Sequence, residues 1–130
     1  SVAISCLKNG FNEKLNQSSM RFFKKIKYFK YNGMVIDENE GIKLRNLVNR
    51  DTRLIILKNH GIIVMGNTID EVFHLTFHFE KCANIQLNIG DRRDLSTVSD
   101  RIAFQTSKQH EGFGKVGKMS WQATKRSYGL

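Results

Sequence analysis

Between Leu54 and Gly66 the chain reads Leu-Ile-Ile-Leu-Lys-Asn-His-Gly-Ile-Ile-Val-Met-Gly, two aliphatic runs that meet at Asn59-His60-Gly61. Leu54–Leu57 and Ile62–Met65 have the length and branched side chains of buried strands. A histidine between two such strands, with a glycine beside it, can face a cleft while the backbone turns sharply. Imidazole is a common metal ligand and a proton carrier near neutral pH. His60 is therefore the candidate site residue, and the competing reading is a turn histidine that fills space.

The flanking elements follow from local chemistry. Val2–Lys8 reads as a helix ended at Gly10. Phe22–Tyr31 reads as a strand, with Ile26 and Tyr28 toward the core and Lys25 and Lys27 toward water, closed by a turn at Asn32-Gly33. Asp37 is the expected N-cap of a helix running to about Val48, with Glu40 three positions on. Thr68-Ile-Asp-Glu71 is a second capping box, and it opens the longest helix, which runs to about Ile89 and stops at Gly90. A further helix is expected over Ser96–His110, capped by Ser96 or Thr97. Gly112–Gly117 reads as a flexible connector, and Ser120–Arg126 as a short helix with Trp121 packed inward.

Composition narrows the class. The 130 residues fit one domain with a core of moderate size. Lys, Asn or Asp interrupts every apolar run before membrane-spanning length. Cys6 and Cys82 form no Cys-x-x-Cys and read as buried or partly buried free thiols, which points to a reducing, cytoplasmic location. Net charge is +9, much of it in Arg21-Phe-Phe-Lys-Lys-Ile-Lys-Tyr-Phe-Lys-Tyr31. Basic residues interleaved with aromatics could track a phosphate backbone. A lysine-decorated edge strand explains the same letters and guards against edge pairing, so nucleic acid is not the expected partner.

The passage Ile55–Leu87 closely resembles the class II aldolase/adducin family. Its members carry Asn-His-Gly between two strands, then a Gly-x-Thr-x-x-Glu helix start, an aromatic stripe and a Glu-x-x-Cys/Ala-x-x-Gln helix end. Gly66, Thr68, Glu71, Phe73, Glu80 and Gln86 fall in that register, with Cys82 beside its small-residue position. Ser1–Gly10 is similar to the family's Ala-Val-Ala-x-Ser-x-Leu-Lys-x-Gly helix, and Asp37–Leu47 to the helix before the Asn-His-Gly strand. The likeness weakens after Gly90. It implies an α/β fold, a class II aldolase/adducin-like layered α/β/α arrangement around a mixed central sheet. Residues 1–90 would be the C-terminal half of the domain, and residues 91–130 its helical C-terminal extension.

In family enzymes three histidines hold a divalent metal, usually Zn2+. Two come as His-x-His just before the helix matching Val2–Lys8, and the third belongs to Asn-His-Gly. The resemblance thus makes His60 a metal ligand, while the His-x-His, the phosphate loop and the acidic catalytic residue would stand before Ser1. A catalytic zinc site takes three protein ligands and an open position, so His60 alone is not one. The absence of proline, with abundant Lys, Asn, Ile and Phe, suggests the A/T-rich, reduced genome of a bacterium, where genes are often split or shortened, and a fragment of a longer protein fits equally.

Two functions are implied. One is a metal-dependent lyase, or a related epimerase or dehydratase, acting on a small phosphorylated ketose through a zinc-stabilised enediolate. The other is an adducin-like assembly or binding module with no chemistry. Either way the expected partners are a second copy of the chain, tetramers being common in the family, or a separate N-terminal half. His74 and His78, at i and i+4, could share a metal by spacing, but packing is the preferred reading. His110 fits the negative end of a helix. Gly112-x-Gly-x-x-Gly117 matches a dinucleotide fingerprint in letters only, because it follows a helix instead of a strand.

Overall fold

In the computed structural model, which describes residues 1–34, 38–92, 94–96, 98–112 and 114–130 (backbone only at 114 and 115), β2 (Leu54–Leu57) runs between β1 (Ile26–Phe29) and β3 (Gly61–Val64). β2 and β3 are antiparallel, with Leu54 opposite Val64 and Leu57 opposite Gly61. β1 is parallel to β2, with Ile26 beside Leu54 and Phe29 beside Leu57. A parallel pair needs a crossover, and α2 (Glu38–Leu47) lies within it. The mixed sheet implied by the resemblance is present. The cap expected at Asp37 lies outside the described residues.

Alternation along β2 sends Leu54 and Ile56 to one face and Ile55 to the other, and all three are buried. The first face meets α3 (Ile69–Ile89), whose buried Leu75, Phe79, Cys82 and Ala83 recur at helical spacing. α1 (Val2–Cys6) adds Ile4 to the same core. Phe11, Phe22 and Phe79 pack around one another, with centroids 4.9 Å apart for Phe11–Phe79 and 5.7 Å for the edge-on Phe22–Phe79 pair. On the second face Leu44 of α2 lines a small cleft with Phe29 and Leu57.

α3 starts as read. The Glu71 N–H donates to Thr68 Oγ1 at 3.3 Å, and the Glu71 carboxylate accepts from the Asn67 N–H at 2.7 Å. It ends at Gly90, whose φ is 70°.

The expected strand at Phe22–Tyr31 is shorter, because its first residues are packed in two directions. Ser19–Phe22 is a 3₁₀ turn held by Ser19, which exchanges hydrogen bonds with Asn16 at 2.9 and 3.0 Å. Phe22 enters the main core, whereas Phe23 joins Met20 and Ala103 in a second cluster. No strand buries two consecutive side chains on one face, and Lys24 turns the chain at φ 59°. Lys25 does not face water: it pairs with Glu111 at 2.7 Å with 12% of its side chain exposed. Tyr28 is half-exposed, and its hydroxyl accepts from the Phe11 N–H at 3.1 Å.

The C-terminal helices also depart from expectation. α4 spans Asp100–Gly112, with Ser99 Oγ accepting from the Ile102 N–H at 3.3 Å, so it starts later than Ser96; Thr97 lies outside the described residues. α5 spans Gly114–Ser127, where a connector and a shorter helix were expected. It packs along α3, and Trp121 lies against Phe73 with centroids 5.1 Å apart. That packing overrides the weak helix propensity of its glycines. Of the two thiols only Cys82 is buried. Cys6 is exposed, since the short α1 turns Ile4 and Ser5 inward. Among the described residues no helix is long and apolar enough to cross a membrane.

Candidate functional site

Lys58-Asn59-His60 closes the β2–β3 hairpin at its tip, and Gly61 is already the first residue of β3, one position before the expected start at Ile62. Asn59 takes φ 59°, a left-handed conformation that asparagine tolerates better than most side chains. Three contacts fix the turn. The Asn59 N–H donates to the Ser5 carbonyl at 3.1 Å, the His60 N–H to the Leu57 carbonyl at 3.0 Å, and the Lys58 N–H to the Phe29 carbonyl at 2.9 Å. Lys58 Nζ adds a bond to the Leu7 carbonyl just past α1. The turn is thus pinned to α1 and to the sheet at once, while the His60 side chain is exposed. Among the described residues its imidazole has no hydrogen-bond partner, and it lines a cleft of about 60 Å³ with Tyr31 and Asn32.

His60 is a single donor. Among the described residues no three His, Cys, Asp or Glu side chains converge as a metal set. The described residues therefore do not by themselves supply the three ligands of a catalytic ion.

The chain's other three histidines gather elsewhere. His74 and His78 meet edge-on on α3, with ring centroids 4.4 Å apart. Arg21, from the 3₁₀ turn, donates through Nη1 to His74 Nε2 at 2.8 Å. His110, in the last turn of α4, donates through Nε2 to the Gln17 carbonyl at 2.9 Å. Burial, then the Arg21 charge, lowers the pKa of His74 and brings that of His78 to about 4. His110 is also lowered, chiefly by burial, against the opposing Gln17 hydrogen bond. Burial thus works against the positive form expected at a helix end.

Sequence reading missed this convergence. Arg21 opened a basic-aromatic run, just before the segment read as strand from Phe22, and nothing in local spacing brings residues 21, 74 and 110 together.

Gln86 shows what the end of the family-like register does. Its side chain donates to the Gly10 carbonyl at 2.8 Å and accepts from the Asn12 N–H at 2.8 Å, fastening the loop after α1 to the last turns of α3. The profile described as "Class II Aldolase and Adducin N-terminal domain" matches residues 1–87. The chain belongs to the class II aldolase and adducin family. Gamma-adducin of Rattus norvegicus is 29% identical over 86 residues, covering 66% of this chain and 12% of its own length.

Among solved structures, an aldolase II superfamily protein from Pseudomonas syringae superposes with a TM-score of 0.84 at 24% identity, over 97% of this chain and 51% of that one. L-fuculose 1-phosphate aldolase from Glaciozyma antarctica PI12 gives a TM-score of 0.73 at 20% identity, over 98% and 49%. These structures share the class II aldolase and adducin fold with this chain, which spans about half of their length.

Proposed function

We propose that His60 is one ligand of a divalent metal site, zinc by preference, whose remaining ligands come from a polypeptide segment or subunit beyond these residues. In this reading the completed site belongs to an aldolase-type lyase acting on a small phosphorylated ketose. Residues 91–130 would be part of the same domain. The observation that carries it is the hairpin tip: a turn fixed to α1 and the sheet presents an exposed imidazole with no hydrogen-bond partner among the described residues. Positioning a ligand on rigid elements lowers the cost of ordering it when a metal arrives.

The assembly reading is supported by the likeness to gamma-adducin. In that case the fold acts as a binding module and His60 is a surface residue.

Zinc titration of the chain, followed by NMR of the four imidazoles, tests the ligand role. His60 resonances should move first, and His60→Ala should remove that response. If His74, His78 or His110 responds first, the assignment of His60 fails. Turnover separates enzyme from module. The chain supplied with a segment bearing the His-x-His should cleave L-fuculose 1-phosphate or a related ketose phosphate, and should lose this with His60→Ala. No turnover in the zinc-loaded assembly of the two would favour the binding module.

A further inference from the structure

At the end of the sheet opposite His60 lies a cavity of about 270 Å³, between the 3₁₀ turn, the first turns of α3 and the ends of α4 and α5. Arg53 lines it just before β2 begins, whereas His60 follows just after β2 ends. Four strand residues separate the two regions by roughly 13 Å. The cavity is therefore not part of the proposed metal site.

Its three basic and three acidic side chains balance in number, but they are not all paired. Lys25 is held by Glu111 at 2.7 Å, and Arg53 approaches Glu71 at 3.7 Å. Arg21 enters no ion pair among the described residues. Its Nη1 goes to a neutral imidazole, and its Nε is buried with no hydrogen-bond partner. Cys82 does not supply a counter-charge, because burial pushes its thiol pKa up and keeps it protonated. A guanidinium stays charged at any ordinary pH, and leaving one partly buried without an anion costs free energy.

We propose that this cavity binds a small oxyanion, a phosphate or carboxylate group, on the Arg21 guanidinium. Nε is enclosed and Nη1 is held by His74, which leaves Nη2, without a hydrogen bond among the described residues, as the charged N–H group that donates to such an anion. Lys25 and Arg53 stand on the same cavity, and His110 offers a further polar ring. The carboxylates of Asp70, Glu71 and Glu111 also line it, so the cavity favours one anionic group and opposes a highly charged polyanion such as nucleic acid. Burial and the Arg21 charge hold the nearby imidazoles neutral, and an anion on Arg21 would relieve the second of these.

The test is an NMR titration of the chain with inorganic phosphate, and separately with acetate, at constant ionic strength kept with chloride. Saturable shifts of the His74 and His110 resonances are expected with at least one of the two anions, and none with added chloride. Saturation by phosphate alone assigns the site to phosphoryl groups, and saturation by acetate alone to carboxylates. Arg21→Lys keeps the charge but loses the Nη2 donor and its placement beside His74, and should weaken binding about tenfold or more. His60→Ala should leave it unchanged, so a failed metal assignment would not disturb this result. Linear shifts equal to those from chloride would overturn the proposal. So would unchanged affinity in a folded Arg21→Lys variant; if that variant does not fold, the saturation of the parent chain decides.

Discussion

Arg21 and His74, separated by 53 positions, are joined by a 2.8 Å hydrogen bond in which the guanidinium must be the donor. That assigns the His74 proton to Nδ1 and makes the ring neutral. Burial acts in the same direction on His78 and His110, and Arg21 adds to it. For such groups the unfolded chain, with an ordinary histidine pKa near 6.5, binds more protons than the folded one below that value. Their contribution to stability is full above about pH 6.5 and is lost as pH falls toward the His78 value of about 4. Urea midpoints should be flat from pH 8 to 7 and decline from 6.5 to 5. His78→Gln should reduce that decline. Arg21→Met should raise the His74 and His78 titration midpoints seen by NMR. A midpoint that rises on acidification through this window would contradict the neutral-imidazole cluster.

Gln86 clamps the loop after α1 with two hydrogen bonds of 2.8 Å, one as donor and one as acceptor. Gln86→Ala should cost about 1–3 kcal/mol, since both backbone partners are partly buried and lose a bond. Gln86→Glu keeps the acceptor for the Asn12 N–H but sets a carboxylate oxygen against the Gly10 carbonyl. It should recover little of the loss at neutral pH. Equal stability of the parent and Gln86→Ala in urea would show that the clamp contributes nothing.

Two glycines separate backbone strain from packing space. Gly10 has φ 68°, and a Cβ built there would lie 2.5 Å from the Tyr28 hydroxyl oxygen. Gly10→Ala must adopt a disfavoured conformation and displace the ring, so a loss of about 1–3 kcal/mol is expected. Gly117 is helical, and a Cβ there would stand 3.4 Å from His74 Cβ, an ordinary contact. There the helix preference for alanine, about 0.5–1 kcal/mol, should win, and Gly117→Ala should raise the thermal midpoint. A lower midpoint for Gly117→Ala would mean that α5 lies closer to α3 than described.

The parts legible in the sequence were those set by neighbours in the chain. The hairpin around Asn59-His60, the Thr68–Glu71 cap and the Gly90 stop each depend on a few consecutive residues; the cap and the stop stand where they were read, and the turn lies one residue earlier, with Gly61 in β3. Phe22 and Phe23 were misread because two separate clusters divide them, a fact no local periodicity carries. α5 was misread because contact with α3 outweighs the breaking tendency of its glycines. Of the candidate sites, His60 was visible through its motif. The Arg21 cavity was not, because its lining comes from segments far apart in sequence.

The remaining prediction concerns association. Among the described residues β1 and β3 each pair with β2 on one side only, leaving two open strand edges. On α3, Phe77 and Ile85 are 48% and 43% exposed, two turns apart along one face. Such surface favours a second copy or another partner. The net charge of +9 opposes self-association, but salt screens that repulsion beyond about 8 Å at physiological ionic strength. Apolar and strand-edge contacts are not weakened in the same way. Raising salt should therefore increase the mean mass measured by light scattering at tens of micromolar protein. Phe77→Glu should suppress the increase if the α3 face is used. An unchanged monomer at low and high salt would show that the edges and this face are closed to pairing, and the proposed assembly would fall.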